Sequence, residues 1–168
     1  MNKMLHKILL LFIGGCAFIG SCTDDASRPG KDQGEGAFRG ILRMDQNCKI
    51  TGGDTMDFLP RPEGFIDTTV VPPVVGPPTN YSLIGACPNP AMLGTDIHWQ
   101  IPQPDSVWIL AFDAAHAEPI DTLYNRSGRT GSYMVHWRPA QPGFYRIRMF
   151  TATGFKSYGD VLIEPEAI

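Results

Sequence analysis

The chain has 168 residues, 43% hydrophobic and 18% charged, which is the make-up of an ordinary globular domain and excludes a large enzyme. Its 15 prolines and 18 glycines are an excess that favours turns, strands and extended chain over a helical bundle. A net charge of -3 lacks the basic surplus that nucleic acid demands of its partners.

At the N-terminus Lys3 and Lys7 precede an apolar run from Ile8 to Ile19, interrupted only by Gly14, Gly15 and Cys16. A positive end followed by about a dozen apolar residues is the pattern of a secretory signal. The run is shorter than the ~20 residues needed to span a bilayer, and the polar Thr23-Asp24-Asp25 follows it. It ends in Ile19-Gly20-Ser21-Cys22, which resembles the lipobox of bacterial lipoproteins. The resemblance implies that residues 1–21 are removed and that Cys22 carries the acyl chains. Ile13-Gly14-Gly15-Cys16 is a second match, but it would leave an apolar stub after the lipid and shorten the hydrophobic region to eight residues, so Cys22 is favoured. Each buried methylene contributes about 0.8 kcal/mol, and two or three acyl chains anchor stably where one does not. The acids after Cys22 also resemble the acidic surface-export tag of Bacteroidota-type lipoproteins.

Loss of Lys3 and Lys7 leaves 12 basic against 17 acidic side chains, a mildly acidic mature chain. Residues 22–40 are rich in Gly, Asp, Ser and Lys, with too few apolar side chains to offset ordering entropy, and are expected to form a flexible tether. In 41–67 the apolar residues follow neither the helical nor the strand period, so irregular loops that dock on a neighbour are expected. Six prolines between Pro60 and Pro78 favour extended geometry and a semi-rigid spacer. The expected organisation is therefore an irregular Pro-rich segment, 41–80, docked on a domain at 81–168.

After Asn80 the pattern changes to short alternating runs cut by turn residues. Ile97, Trp99 and Ile101 alternate with polar neighbours, and Pro102 to Asp105 ends that strand. Ser106 to Phe112 is almost wholly apolar and suits a central strand. Ile120 to Tyr124, Tyr133 to Trp137, Tyr145 to Met149 and Phe155 to Ile163 follow, the last closing a hairpin at Gly154. About seven short strands in this stretch predict an all-β fold, an antiparallel β-sandwich of immunoglobulin-like type preceded by an irregular Pro/Gly-rich segment.

Tyr81-Ser82-Leu83, Pro88-Asn89-Pro90, Thr95 to Ile101, Val107 to Asp113, Val135-His136-Trp137, Gly143-Phe144-Tyr145 and the hairpin Gly154 to Ile163 resemble, in order, the Ig-like domain of flagellar hook-capping proteins, itself similar to the C-terminal sorting domain of type IX secretion cargo. The chain departs from that pattern at Cys87, at Trp137-Arg138-Pro139 and at Ala115-His116. The resemblance implies an Ig-like sandwich without a catalytic site.

Of 4 cysteines, Cys16 leaves with the signal and Cys22 takes lipid, so Cys48 and Cys87 remain for an oxidising compartment. They are expected to pair, closing a loop of about 40 residues for roughly 2 to 4 kcal/mol and fastening the 41–67 region to the start of the sandwich. No Cys-x-x-Cys occurs, and two lone cysteines do not make a structural zinc site. His98 and His136 are expected to face solvent on their strands and His116 to lie in a loop, none a metal ligand or base. Asp54 and Asp57 near Gly52-Gly53 supply too few oxygens for calcium. Gly-x-Ser-x-Gly, the P-loop and the dinucleotide fingerprint are absent.

Trp99, Trp137 and Tyr145 hold the inward phase of their strands, whereas Trp108, Phe112 and Phe144 hold the opposite phase and form a candidate partner-binding face. The expected function is that of a non-catalytic lipoprotein. It is held in the bacterial cell envelope by acylated Cys22, in the outer membrane with its domain on the periplasmic or surface side. The sandwich serves as a structural or protein-binding module for an envelope partner, with no cofactor, no metal and no nucleic acid. The alternative is that 81–168 is a type IX sorting domain and 23–80 its cargo.

Overall fold

The computed structural model describes residues 39–60, 76–113 and 116–166; the signal, Cys22 and most of the tether lie outside them. The described chain is all β, with strands β1 (Leu42–Met44), β2 (Ile50–Gly53), β3 (Ser82–Cys87), β4 (Thr95–Ile101), β5 (Asp105–Asp113), β6 (Asp121–Gly128), β7 (Gly131–Trp137), β8 (Gly143–Thr151) and β9 (Gly154–Ile163).

β3 to β9 form a sandwich of two antiparallel sheets, one in the order β3-β4-β7 and the other β6-β5-β8-β9. Strand alternation builds its interior. Val107, Ile109 and Ala111 of β5 and Ile147 and Met149 of β8 are fully buried and meet Leu83, Ala86, Ile97, Trp99 and Ile101 of the other sheet. Trp99 stacks on Tyr133 at a centroid distance of 5.7 Å and meets Tyr124 at a tilt at 5.0 Å. The nearly unbroken apolar run of β5 has the reason the sequence suggests: the strand is central, paired with both β6 and β8. β6 runs on to Gly128, past the Tyr124 end expected of it, because Asn125, Arg126 and Ser127 pair with Trp108, Val107 and Ser106 and leave only Arg129 and Thr130 outside the strands.

The crossing from β7 to β8 is fixed by Tyr145, whose hydroxyl donates back to the Gln141 carbonyl at 2.5 Å while its ring meets Trp137 edge-on at 5.0 Å. This is the tyrosine-corner arrangement of immunoglobulin-type sandwiches. Trp137 in turn donates its indole N–H to Asp121 at 2.9 Å, joining the two sheets at the same end.

The 41–67 region is not wholly irregular. β1 and β2 pair as a short hairpin with Leu42 opposite Gly53, closed by an Asp45 carboxylate that accepts the Asn47 and Lys49 N–H groups. Leu42, Met44, Ile50 and Phe58 are buried in the main core although their spacing follows no single period. The Cys48–Cys87 disulfide, spanning 39 residues, ties this hairpin to the end of β3.

Candidate functional site

The hairpin and residues 57–59 lie where the two sheets leave a side open, between the edge strands β3 and β9. Leu59 bridges to Tyr158 and Met44 to Asn89, both antiparallel. Ser157 receives the Leu83 N–H at 3.3 Å and donates to the Leu59 carbonyl at 2.8 Å, so one hydroxyl links β3, β9 and the closing segment. Phe58, fully buried, occupies the space above Gly159, where any Cβ would run into its ring. Phe58 holds a left-handed backbone (φ 57°), which costs a non-glycine residue roughly 1 to 2 kcal/mol and is held here by that burial.

Polar groups complete the junction. Asn89 is fully buried and makes three bonds: its amide donates to the Leu42 carbonyl at 3.0 Å and the Asp160 carbonyl at 2.9 Å, and its oxygen accepts the Leu162 N–H at 3.0 Å. Asp57 accepts N–H groups from Leu42 at 3.0 Å, Phe58 at 3.2 Å and Asp160 at 2.8 Å. Burial, reinforced by the charge of Asp160, pushes the Asp57 carboxyl up to about 8 against the pull of those three donors. Burial also raises Asp160, opposed by Arg146, which grips it in a two-point pair at 2.7 and 2.8 Å. Sequence reasoning assigned no role to Asn89, Asp160 or Arg146 and weighed Asp57 only as a calcium ligand. The available signals were an Asn enclosed by two prolines and a lone acid beside Phe58 and Leu59.

The outer face of the β6-β5-β8-β9 sheet carries a second apolar cluster. Leu110, Phe112 and Phe150 are buried there, with Trp108 and Phe155 packed against them half-buried. The Arg148 guanidinium lies 4.2 Å over the Phe112 ring, and Phe150 meets Phe155 edge-on at 5.7 Å. Of the three residues expected to form a binding face, Trp108 and Phe112 are thus brought together. Phe112, only 2% exposed, is the floor of the cluster and not a contact surface. Phe144 shares the outward phase but stands at the far end of β8, opposite Leu162, and is 44% exposed.

The histidines divide. His136 is exposed and bonded to Asp96 at 2.7 Å, and exposed His116 is bonded to Asp113 at 2.5 Å. His98 does not face solvent: it is 6% exposed on the central strand of its sheet, between Gly85 and Met134, and its Nε2 has no hydrogen-bond partner among the described residues. Burial lowers its pKa, against the raising effect of Asp96. Alternation placed His98 on the outer face correctly, but an outer face is not always a wet one. Among the described residues no group of three His, Cys, Asp or Glu side chains is placed to hold a metal ion.

No protein-family model matches the chain, and no curated protein matches it in sequence. A search of solved structures finds a crystal structure of a presumed lipoprotein from Bacillus anthracis. The match is 11% identical and covers 50% of this chain and 78% of that one, with a TM-score of 0.36, a similarity too low to carry fold or function across.

Proposed function

We propose that this protein is a lipid-anchored lipoprotein of the bacterial cell envelope, acylated at Cys22, whose β-sandwich is a non-catalytic module that binds a partner protein. The Cys48–Cys87 disulfide is the observation that carries the reading. A bond of that kind belongs to an oxidising, exported location, and it occupies both other cysteines of the mature chain, leaving the lipobox thiol for acylation. The hairpin it secures closes the open side of the sandwich, so the exported unit is braced close to the point where the tether joins it. The partner surface is the outer face around Trp108 and Phe155, where half-buried aromatic rings sit on a packed floor and supply contact area at small entropic cost. In this reading the membrane that holds it is the outer one.

Labelling of cells with a radioactive fatty acid tests the anchor. The expected result is label on the wild-type chain, its loss in Cys22→Ser, and a precursor that accumulates with globomycin. An unlabelled protein that matures normally under globomycin would overturn the reading. A photocrosslinker at position 108 in intact cells should trap one defined envelope protein, and Phe155→Ala should abolish that adduct. Adducts spread over many unrelated proteins would remove the module from its assigned role.

A further inference from the structure

One end of the sandwich gathers the loops β3–β4, β5–β6 and β7–β8 and the end of β9. The pairs Cys87 with Asp96, Ala111 with Asp121, Thr95 with Trp137 and Gly143 with Ile163 place them together. The bridge from Ala91 to Ile163 joins the two sheets there. The N-terminal chain joins the domain at this same end: Arg39, Gly40 and Ile41 line one open cavity with Phe144 and Leu162.

The described residues include six exposed large apolar side chains. Four lie at this end: Met92 at 52%, Leu93 at 46%, Ile120 at 44% and Phe144 at 44%. Met92 and Leu93 are adjacent in a turn, a position that ordinarily takes Gly, Pro, Asn, Asp or Ser. The turns at the opposite end, Pro102-Gln103-Pro104, Arg129-Thr130 and Ala152-Thr153, carry no large apolar side chain.

We propose that this end is a membrane-contacting tip, in which Met92, Leu93, Ile120 and Phe144 enter the interfacial layer of the bilayer that holds Cys22. The inference rests on the anchored reading above. Its occupant follows from chain length. From Cys22 to Arg39 the backbone spans at most about 60 Å even when fully extended, and it ends on the apolar end. A linker of that size holds an attached surface at an effective concentration on the order of millimolar, so a contact too weak to survive in free solution is populated. Interfacial binding grows with buried apolar area. The charges refine the choice of surface: Asp54, Asp113, Glu118, Asp121 and Glu164 outnumber Arg39, Arg43 and Arg138 around this end, so the tip is net acidic, is repelled by anionic lipid and suits a zwitterionic bilayer.

The mature chain, 22–168, provides its own test, because with Cys48 and Cys87 bonded Cys22 is its one free thiol. Coupling Cys22 to a maleimide lipid in phosphatidylcholine vesicles fixes the protein to a bilayer whether or not cells acylate it. The reference is the same protein coupled to a soluble maleimide polymer. Hydrogen exchange should slow several-fold on vesicles for amides 91–94 and 120–121 but not for 129–130 or 152–153. The slowing should persist in high salt, weaken when phosphatidylglycerol is added, and vanish in Met92→Ser/Leu93→Ser/Ile120→Ser. Equal exchange on vesicle and polymer, or slowing confined to the opposite end, would overturn the tip. Loss of fatty-acid labelling in cells would strike the anchor alone and leave the vesicle result standing.

Discussion

Asp57 and Asp160 meet beneath the closing segment: the Asp57 carboxyl accepts the Asp160 backbone N–H at 2.8 Å, while the Asp160 side chain is turned to Arg146. Burial, with the Asp160 charge beside it as the lesser cause, holds Asp57 up to about 8 from an ordinary value of 3.8. The folded protein therefore keeps a proton that the unfolded chain has already released, and stability falls as pH rises from about 4 to about 8. Asp160, also raised, contributes with the same sign. His98, lowered, acts oppositely, losing stability as pH falls below its ordinary 6.5. Between about pH 7 and 8, where the unfolded chain's His98 has lost most of its proton, the carboxyl effect dominates, with a slope of up to about 1.4 kcal/mol per pH unit for one proton. Urea unfolding across that window should show this decline in the wild type and a flatter profile in Asp57→Asn; identical slopes would place the proton elsewhere.

Asn89 joins Leu42, Asp160 and Leu162 through one side chain. Asn89→Ala leaves two carbonyls and one N–H unsatisfied in a buried site, each costing about 1 to 3 kcal/mol where water cannot enter. A loss of about 3 kcal/mol in denaturant unfolding is expected. Asn89→Asp should be no rescue, because a carboxylate cannot donate to the two carbonyls. A variant within about 0.5 kcal/mol of wild type would show that the junction does not depend on Asn89.

Phe58 and Gly159 form a matched pair, ring against bare backbone. Phe58→Ala should destabilise by about 3 to 5 kcal/mol, the range for removing a buried aromatic side chain. Gly159→Ala should also destabilise, by about 1 to 3 kcal/mol, since the added methyl displaces the ring. Combining the two should cost less than the sum, because the methyl then enters the space the ring vacated. Strict additivity in a double-mutant cycle would separate the two positions.

The Cys48–Cys87 bond should contribute roughly 2 to 4 kcal/mol by restricting the unfolded chain. Cys48→Ser/Cys87→Ser should lower stability by that amount and speed hydrogen exchange in β1 and β2 more than in β5. Uniform acceleration throughout would show that the hairpin and the sandwich open only as one unit.

Read by itself, the sequence determined the two-sheet class of fold, the central place of β5, the inward phase of Trp99, Trp137 and Tyr145, and the pairing of Cys48 with Cys87. These follow from local rules: alternation with a period of two, turn residues at strand ends, and an even remainder of thiols after the lipobox-like segment. Tertiary structure alone decided the rest. Leu42, Met44 and Phe58 enter the core from a segment with no period, because their burial is set by the gap between β3 and β9 and not by their own strand geometry. His98 is buried despite its polar position in the alternation, and Phe112 lies under Arg148, because exposure depends on what lies over a strand and not on the strand's own period. Asp57, Asn89 and Asp160 lie far apart along the chain, and periodicity cannot report a junction whose members become neighbours only when the sandwich closes.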